Sequence, residues 1–378
     1  MSQPRFHFVY AARYIASVAL CFSALLSASQ VTLASATHTP AVQALDKLLG
    51  TRTDLAESLD RAIEKAELSN IDDREDLYHH LDEVLTWVPR DRQIVPKLLP
   101  FVYLIGQAPD DRLNEDAAFN VWYSRFMADY GAFLDTPASA AGIESFLTNP
   151  DYRIDDYIRG PSGWQTFNQF FAREIKPGRR PIADPRNDNV IVSPADAVFM
   201  GSWPIEEDST ITVKGVKWAI AELLADSPYA EAFKGGTYMH SFLYIDDYHR
   251  FHVPVAGSVK EVRNISGRVY LDVRRNPDGT LTVLDGDTYQ FRQERGLVII
   301  DSPMLGLVAV LPIGMSYVSS VNLTPDKGAS LRKGDPFGYF MFGGSDIVMV
   351  FQDRDIMLEA KVGQKYLQGQ RIGQLRSR

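Results

Sequence analysis

The hydrophobic periodicity of this chain changes once, near residue 160, and this change restricts the fold more than any other feature of the sequence. Between about residues 40 and 150, apolar residues recur every three or four positions, which is typical of amphipathic helices. From residue 161 onward, short β-branched and aromatic runs alternate with Gly, Pro, Asn and Asp, which is typical of strands joined by turns. We therefore predict an α+β protein, with a helical N-terminal domain over residues 37–160 and a β-rich, sandwich- or barrel-like domain over residues 161–378.

A broad aromatic stripe lies in the helical half. Phe119, Trp122, Phe126, Tyr130 and Phe133 follow one another at steps of three and four residues, which places them on one face of a helix. Such a stripe could line a ligand site, but it is far more often a packed core face, and we interpret it as core. The run NPDYRIDDYIRGPSG then interrupts the helical pattern with Pro and Gly, which indicates the domain boundary.

Five apolar runs are the strongest strand predictions in the second half: TITVKGV, TYMHSFLYI, GLVIIDSP, LVAVLPIG and DIVMVFQ. A short helix is predicted between the first two, at WAIAELLADSPYAEAF. A small glycine repeat follows near the C-terminus, with Gly328, Gly334, Phe337 and Gly338 in one copy and Gly363, Gly369, Ile372 and Gly373 in the other. Glycine-punctuated units of this kind favour a small β-sandwich or barrel with sharp corners.

The first 36 residues differ in kind from the rest. Arg5 and Arg13 precede the apolar run YIASVALCFSALLSASQVTLASA, which closes on the small residues of an Ala-Ser-Ala cleavage signal. This pattern predicts a secretory signal peptide over residues 1–36, and hence an exported protein that is periplasmic or secreted. A retained membrane anchor is the alternative, because the apolar run approaches the length of a membrane span.

Two features of the composition exclude classes of chemistry. Cys21 is the only cysteine and lies inside the predicted signal peptide, so thiol catalysis and disulfides are excluded for the mature protein. The formal net charge of −9 gives no long-range attraction for nucleic acid or anionic lipid headgroups, so we expect no nucleic-acid partner. A local basic patch, and with it a peripheral membrane contact, stays open.

Two histidines in the run DDYHRFHVP are candidates for catalysis. In a helix, His249 and His252 would share a face and could bind a metal, but Pro254 and the β-rich surroundings predict extended structure. In a strand this odd separation directs the two side chains to opposite faces, so we predict no metal site. A single histidine is more often structural than catalytic, so neither residue is identified by its position alone.

An acid and a hydroxyl accompany these histidines elsewhere in the chain. Asp196 lies in VSPADAV, and Ser345 lies in MFGGSDIVMVF, where Gly343 and Gly344 precede a predicted strand. Each segment taken alone is an ordinary turn, in which Gly343 and Gly344 would supply positive φ values without a Cβ penalty. Together with His252, they supply the acid, base and hydroxyl of a triad. The sequence has no Gly-x-Ser-x-Gly elbow, which argues against a serine hydrolase of the α/β type.

Several segments occur together in an order and spacing that resembles phosphatidylserine decarboxylases. They are GWQTFNQFFAREIKPGRRPI, VSPADA, KGVKWAIAELLAD, YIDDYHRFHVPVAG, LVAVLPIGMSYVSSV and the C-terminal FGGSD. The resemblance covers residues 163 to about 352. The helical part, especially FNVWYSRFMADYGAFLDTPAS, resembles the N-terminal region of a subgroup that includes soluble, tryptophan-decarboxylating relatives.

The resemblance implies that the chain is a zymogen that cleaves its own Gly344–Ser345 bond. Ser345 Oγ would attack the Gly344 carbonyl to give an ester, elimination would give dehydroalanine, and hydrolysis would leave a pyruvoyl group at the new N-terminus. In the family pattern His252 would be the general base, Asp196 its orienter, and His249 a second histidine that helps in decarboxylation or protonation. The pyruvoyl group made from Ser345 would be the cofactor, no added cofactor or metal would be needed, and the two chains would remain partners.

One residue departs from the family pattern. Asp346 follows the processing serine, where Thr or Ser is common in the family. A carboxylate at this position would disfavour a second nearby anion. It could alter substrate preference, slow processing or mark a protein that has lost activity.

The sequence leaves more than one candidate open for the substrate, and also for the class of function. The resemblance favours phosphatidylserine as substrate and phosphatidylethanolamine as product. The acidic composition, the helical domain and the lack of a basic amphipathic helix favour a free amino acid instead, for example an aromatic one. Two other classes stay open: an inactive exported binding module with the same fold, and a serine hydrolase acting through Ser345 in an intact chain.

Overall fold

The computed structural model describes residues 38–213, 216–268, 271–283, 289–314, 320–352 and 355–376. Of Gly344 and Ser345 it describes the backbone. The signal peptide predicted over residues 1–36 lies outside the described residues. Within the described ranges, no helix is long and apolar enough to cross a membrane.

The N-terminal half of the described chain is helical, as its periodicity predicts. The α-helices are α1 (Pro40–Thr51), α2 (Thr53–Ala66), α3 (Arg74–Leu85), α4 (Ile94–Ile105), α5 (Arg112–Glu115), α6 (Ala117–Leu134), α7 (Glu144–Leu147), α8 (Phe167–Phe171) and, inside the β-rich half, α9 (Ile220–Leu223). Short 3₁₀ turns connect several of them.

The aromatic stripe of α6 packs into the core. Phe126 and Tyr130 are buried, and the ring of Trp122 meets Phe101 of α4 edge-on, with 6.0 Å between the ring centroids. The Trp122 indole Nε1 donates a hydrogen bond of 2.8 Å to the Ala41 carbonyl, which ties α6 to α1. The interpretation of this stripe as a core face is therefore confirmed.

The second half is β-rich. Its strands are β1 (Val190–Val192), β2 (Ala197–Pro204), β3 (Thr210–Val213), β4 (Val216–Ala219), β5 (Thr237–Phe242), β6 (Arg250–His252), β7 (Gly257–Ile265), β8 (Val273–Arg275), β9 (Leu281–Val283), β10 (Arg295–Ser302), β11 (Gly306–Gly314), β12 (Val321–Leu323), β13 (Ser330–Leu331), β14 (Pro336–Phe340), β15 (Gly344–Phe351), β16 (Ile356–Leu358), β17 (Lys365–Tyr366) and β18 (Arg371–Leu375). All five predicted strand runs contain observed strands, and the α+β class is confirmed.

The helix predicted at WAIAELLADSPYAEAF is shorter than expected. It is reduced to α9 and a 3₁₀ turn at Ala230–Phe233. Its first residues, Trp218 and Ala219, belong to strand β4, where they pair with β3. The helix ends at Leu223, because Ala225 and Asp226 take positive φ values of 44° and 56°, which a right-handed helix does not allow.

The central sheet has the strand order β13-β7-β10-β11-β15-β5-β2-β17 in the described chain, and its pairs are antiparallel. Strand β15, which carries Ser345 near its start, lies in the interior of this sheet between β11 and β5. An interior strand is held by hydrogen bonds on both edges, so its backbone positions are set on both sides.

The central sheet has an apolar core on each face. On one face, Ile347 and Met349 of β15 belong to the same cluster of buried residues as Phe126 of α6. On the other face, Val348 and Val350 pack with residues of α9 and the β3–β4 hairpin. Residues 38–378 form one compact unit. The helical part, by which we mean α1 to α8 and their connections (residues 40–171), therefore contributes to the core beneath β15. The domain division at residues 160 and 161 stays a prediction.

The glycine repeat seen in the sequence has a structural basis. Gly334 and Gly369 occupy equivalent places, with positive φ values of 87° and 84° that glycine adopts without strain. A Cβ atom on either glycine would come within 2.8 Å of the same side chain, that of Ile182. Their amides donate to equivalent carbonyls, Gly334 to Val253 and Gly369 to Ser193, over 2.8 and 2.9 Å.

The duplication extends to two segments that the sequence pattern did not reveal, VSP at residues 192–194 and HVP at residues 252–254. The Val192 amide donates to the Pro254 carbonyl, and reciprocally the His252 amide donates to the Pro194 carbonyl, over 3.2 and 2.7 Å. This reciprocal pairing brings together the segment that carries Asp196 and the segment that carries His252.

Candidate active site

Ser345 lies at an irregularity in the middle of the central sheet. Across the β11–β15 pair, Asp346 lies opposite Ile313, but Gly344 lies opposite Gly314. The register therefore skips Ser345, which is the extra residue of a β-bulge. Bulges disrupt the ladder locally and redirect the chain, and they are common beside active sites.

The residue before this bulge has a conformation that needs glycine. Gly343 has a φ of 104°, outside the range that side-chain-bearing residues adopt at low cost. Gly344 then opens β15. The expectation that the glycine pair supplies a positive φ is confirmed at Gly343. The backbone bends just before Gly344 and bulges just after it, so the Gly344–Ser345 peptide lies between two irregularities.

His252 lies in β6 and is almost fully buried. Its Nδ1 is 2.9 Å from the Gly334 carbonyl, which can only accept, so Nδ1 carries the hydrogen. Its Nε2, 3.0 Å from Tyr248 Oη, is then the acceptor. Burial lowers the pKa of His252 below its usual 6.5, and the Gly334 carbonyl and the charge of Asp196 oppose that shift. At neutral pH the imidazole is uncharged and offers a basic Nε2.

Asp196 is also buried, but its hydrogen bonds go elsewhere than the sequence suggested. Arg180 donates from Nε to both carboxylate oxygens, over 2.9 and 3.1 Å, and from Nη2 to Oδ2 over 2.6 Å. The backbone amide nitrogen of Gln368 donates to Asp196 Oδ1 over 2.8 Å. The structure thus does not join Asp196 to His252 directly, and the Gly334 carbonyl orients the imidazole instead. The contribution of Asp196 to catalysis stays a prediction.

Arg180 is a residue that the sequence reasoning missed. It is buried, and its Nη1 also donates to Asp156 Oδ2 over 3.0 Å, so one guanidinium joins two carboxylates. The two carboxylates raise the pKa of Arg180 above its usual value despite the cost of burial. Its position in KPGRRPI, a run that carries the family resemblance, was the available signal.

His249 lies just before β6 and is fully buried. Its ring stacks on Phe171 of α8, with 3.8 Å between the centroids. Neither ring nitrogen has a hydrogen-bond partner of ordinary geometry within the described part of the chain. Burial first, and the nearby charge of Arg173 second, hold the pKa of His249 well below its usual value, which the Asp247 backbone partly opposes. Such a side chain is a neutral imidazole able to bond a ligand.

Arg173, also missed by the sequence reasoning, orders the loop that carries His249. Its guanidinium lies over the ring of Tyr157, with 4.2 Å from Cζ to the centroid. Nη2 donates to the carbonyls of Asp246 and Asp247, each over 2.9 Å. The loop between β5 and β6 is therefore fixed by a buried arginine.

Asp346 lies in a setting that the sequence did not predict. Its carboxylate is fully buried, with Oδ2 at 3.2 Å from Nε2 of His240 on the neighbouring strand β5. Asp346 and Val348 are two residues apart on β15, so both side chains face the core formed with α9 and the β3–β4 hairpin. The residue after Ser345 is therefore part of a buried acid–imidazole pair.

A cavity of about 350 Å³ opens where the helical part meets β6 and β14. The helical part contributes Asp135, Trp164 and Asn168 to its lining, and the β-rich part contributes Arg250 and Met341. Met341 belongs to the segment that leads into Ser345, so this segment borders solvent-accessible space.

Comparison with known proteins identifies the family. The family described as phosphatidylserine decarboxylase matches residues 167–374. Phosphatidylserine decarboxylase proenzyme 3 of Schizosaccharomyces pombe is 35% identical over 254 residues, 65% of this chain and 25% of that relative. The proenzyme of Fusobacterium nucleatum is 32% identical over 239 residues, 63% of this chain and 77% of that relative. Proenzyme 2 of Oryza sativa is 34% identical over 233 residues, 61% of this chain and 36% of that relative.

The fission-yeast and rice relatives are thus matched over much less than two thirds of their own length, whereas the Fusobacterium relative is matched over most of it. The family match begins at the first residue of α8, so α1 to α7 lie outside it. It includes the bulge at Ser345, both buried histidines and Asp196. This chain belongs to the phosphatidylserine decarboxylase family, whose named members are carboxy-lyases.

Proposed function

We propose that this protein is a self-processing, pyruvoyl-dependent decarboxylase. The substrate we favour is phosphatidylserine, with phosphatidylethanolamine as the product. The observation that carries the proposal is the β-bulge at Ser345, which follows Gly343 and Gly344 in an interior strand of a chain from this family. The proenzyme names of the relatives support processing of this kind.

Self-cleavage follows from the chemistry of a hydroxyl beside a peptide bond. Ser345 Oγ gives up its proton to a base and attacks the Gly344 carbonyl carbon, while the Ser345 nitrogen takes a proton and leaves as an amine. The resulting ester loses the Cα proton of residue 345 and expels the Gly344 carboxylate, which gives dehydroalanine. Hydrolysis then releases ammonia and leaves the pyruvoyl group. We assign the base to His252, whose Nε2 is unprotonated at neutral pH.

His249 has the properties of a neutral imidazole that is free to bond the reacting group of a substrate. His249 keeps two buried ring nitrogens without a partner in the described chain, and Phe171 holds its ring by stacking. A pyruvoyl carbonyl supplies an electron sink for the electron pair released with CO₂. We assign His249 to the substrate, where it positions the reacting group and moves a proton during decarboxylation.

A free amino acid is the second candidate substrate. The observation in its favour is the bordering cavity, whose volume of about 350 Å³ suits a small molecule and whose lining combines Trp164 with the charged Asp135 and Arg250. Export remains our proposal for the location of the enzyme, on the N-terminal pattern alone.

Intact-mass spectrometry of the purified protein tests processing. We expect two chains, with the smaller one covering residues 345–378, blocked to Edman sequencing and lighter at its N-terminus than a serine. Ser345→Ala should remain a single chain. A wild-type chain that stays intact after long incubation at neutral pH would overturn the proposal. The protein would then be an inactive binding module or, if a fluorophosphonate labels Ser345, a serine hydrolase.

Release of labelled CO₂ then separates the substrates. Phosphatidylserine in mixed micelles and free L-amino acids, tryptophan among them, are supplied to the processed enzyme at matched concentrations. Turnover of phosphatidylserine alone supports the first substrate, and turnover of the free amino acid alone replaces it with the second.

A further inference from the structure

The segment just before Ser345 is held by the helical part of the protein. The ring of Phe342 is 2% exposed and is surrounded by aromatic rings of two helices. Phe167 and Phe171 of α8 meet it edge-on at 5.3 and 5.4 Å between centroids, and Tyr130 of α6 meets it edge-on at 6.2 Å. We call these three residues the aromatic socket. Edge-on contacts are directional, so the socket restricts the rotation of the Phe342 ring.

The backbone of the same residue is held by an amide. The Phe342 amide nitrogen donates to Asn168 Oδ1 over 3.3 Å. Asn168 Nδ2 donates to Asp135 Oδ1 over 3.0 Å and to the Gly131 carbonyl over 3.3 Å. Because both partners of Nδ2 can only accept, they fix which end of the Asn168 amide faces Phe342. Asp135 and Asn168 therefore act as a pair on the cleavage segment.

The Gly344–Ser345 bond lies between this anchor and a second one. Downstream, Asp346 pairs with Ile313 on β11 and with Phe242 on β5. Between the anchors only Gly343 and Gly344 precede Ser345, and glycines have more backbone freedom than any other residue. Attack by Oγ on the preceding carbonyl requires one particular geometry, and a misplacement of about 1 Å can cost on the order of 100-fold in rate.

We propose that the helical part positions the scissile bond for self-cleavage, through the aromatic socket and the Asp135–Asn168 pair, and that it keeps hold of the new C-terminal end of the large chain afterwards. Asp135, Asn168 and Phe342 are positioning residues in this proposal, because their described contacts hold the segment that precedes the scissile bond. The proposal rests on the proposed self-processing and gives a role to α6, which lies outside the family match.

The first test follows cleavage of the full-length chain in cell-free translation, by pulse label and gel, beside the melting temperature of each Ser345→Ala counterpart. Asn168→Ala should lengthen the cleavage half-time about 10-fold or more. The matched control is Asn120→Ala, because Asn120, like Asn168, lies on a helix and donates two hydrogen bonds from Nδ2, in this case to the Asn114 and Asp116 carbonyls. It should lower the melting temperature comparably and leave the half-time unchanged.

The socket has its own matched control. Phe342→Leu should slow cleavage, whereas Phe101→Leu should not. Phe101 is also buried and also meets three aromatic rings, those of Trp122, Tyr123 and Phe126, but none of these residues belongs to the socket or to the cleavage segment.

Exchange of the paired residues tests whether the effect comes from this hydrogen bond. Asn168→Asp places two carboxylates together and should slow cleavage, and Asp135→Asn combined with Asn168→Asp restores an amide–carboxylate pair and should recover most of the rate. The melting temperatures of the Ser345→Ala counterparts and the Asn120→Ala control separate this effect from a loss of general stability.

A second readout follows the new C-terminus. In the processed wild type, carboxypeptidase should stop at Phe342, whereas in Phe342→Leu it should trim further, as mass spectrometry of the large chain would show. If wild type cleaves and the test variants cleave as fast as their controls, the positioning role is overturned while the proposed function stands. If wild type never cleaves, the proposed function itself is overturned.

Discussion

His252 donates its Nδ1 hydrogen to the carbonyl of Gly334, over 2.9 Å, and this bond selects the tautomer of the imidazole. Gly334 belongs to the glycine repeat, so a turn of the duplicated scaffold, and not a carboxylate, orients the proposed base. Its Nε2 is left to accept from Tyr248 or, in the reaction, from a hydroxyl.

The first prediction concerns the pH dependence of self-cleavage. A base works in its unprotonated form, and burial lowers the pKa of His252 below 6.5. The cleavage rate should therefore be flat from about pH 6.5 to 8 and fall only in more acidic solution, where the imidazole gains a proton. His252→Ala should slow cleavage by roughly 10²–10⁴-fold. A rate that still climbs above pH 7.5 would point to a different base.

The second prediction concerns Asp196 and Arg180. Removal of one partner from a buried ion pair costs roughly 3–5 kcal/mol, so Asp196→Asn and Arg180→Gln should both lower the free energy of unfolding in urea. Both variants should also cleave slowly, because Asp196 belongs to the segment that pairs with His252. Slow cleavage in Asp196→Asn alone would mean that its charge at His252 matters more than its bonds to Arg180.

The third prediction separates the two histidines. His249→Ala and His249→Phe should both self-cleave at the wild-type rate, since His252 supplies the base. Both should lose decarboxylation by roughly 10²-fold or more. His249→Phe keeps a ring against Phe171 and controls for the cavity that alanine leaves. If His249→Ala is not cleaved while His252→Ala is, His249 is the base of self-cleavage and the roles assigned to the two histidines are reversed.

The fourth prediction concerns Asp346. Its carboxyl group lies one residue after the proposed pyruvoyl group, where we expect it to disfavour binding of a substrate carboxylate. Asp346→Thr and Asp346→Asn should lower KM for phosphatidylserine and for tryptophan by about 5-fold, or about 1 kcal/mol. Because the carboxylate is fully buried beside His240, added salt should reduce this difference only weakly. Equal KM values in all three proteins would show that the Asp346 charge does not reach the substrate.

The fifth prediction concerns Asp247, which pairs with Lys365 of the proposed small chain. Burial raises the pKa of Asp247 from 3.8 to about 6, although Lys365 opposes the shift. Between about pH 4 and 6 the folded protein holds a proton there that the unfolded chain has released, so this group's contribution to stability falls as pH rises. Asp247→Asn should therefore gain up to ~3 kcal/mol relative to wild type across that window.

Urea unfolding at several pH values measures this difference. Asp246→Asn is the control, because the neighbouring carboxylate is only half-buried and lies 3.9 Å from the Lys365 ammonium. The same pH slope in wild type and Asp247→Asn would contradict the assignment.

Much of the architecture was predictable because it is encoded over short stretches of chain. The three- and four-residue steps of Phe126 and Tyr130 place their rings on one helix face, and the structure buries them. Gly343 was recognised as a position for positive φ because glycine has no Cβ to clash, and it adopts 104°. The predicted length of the helix at WAIAELLADSPYAEAF was wrong, because the pairing of Trp218 in β4 outweighed its local helical preference.

The partners of the buried charged groups were decided by the tertiary structure. Asp196 accepts hydrogen bonds from Arg180, 16 residues earlier in the chain, and from the backbone of Gln368, 172 residues later. His240 meets Asp346 only because β5 pairs with β15. Periodicity along a sequence determines the direction of a side chain, whereas the identity of its partner depends on distances across strands and helices. Buried charges require partners within about 3 Å, so that choice is made when the sheet and the helical part pack together.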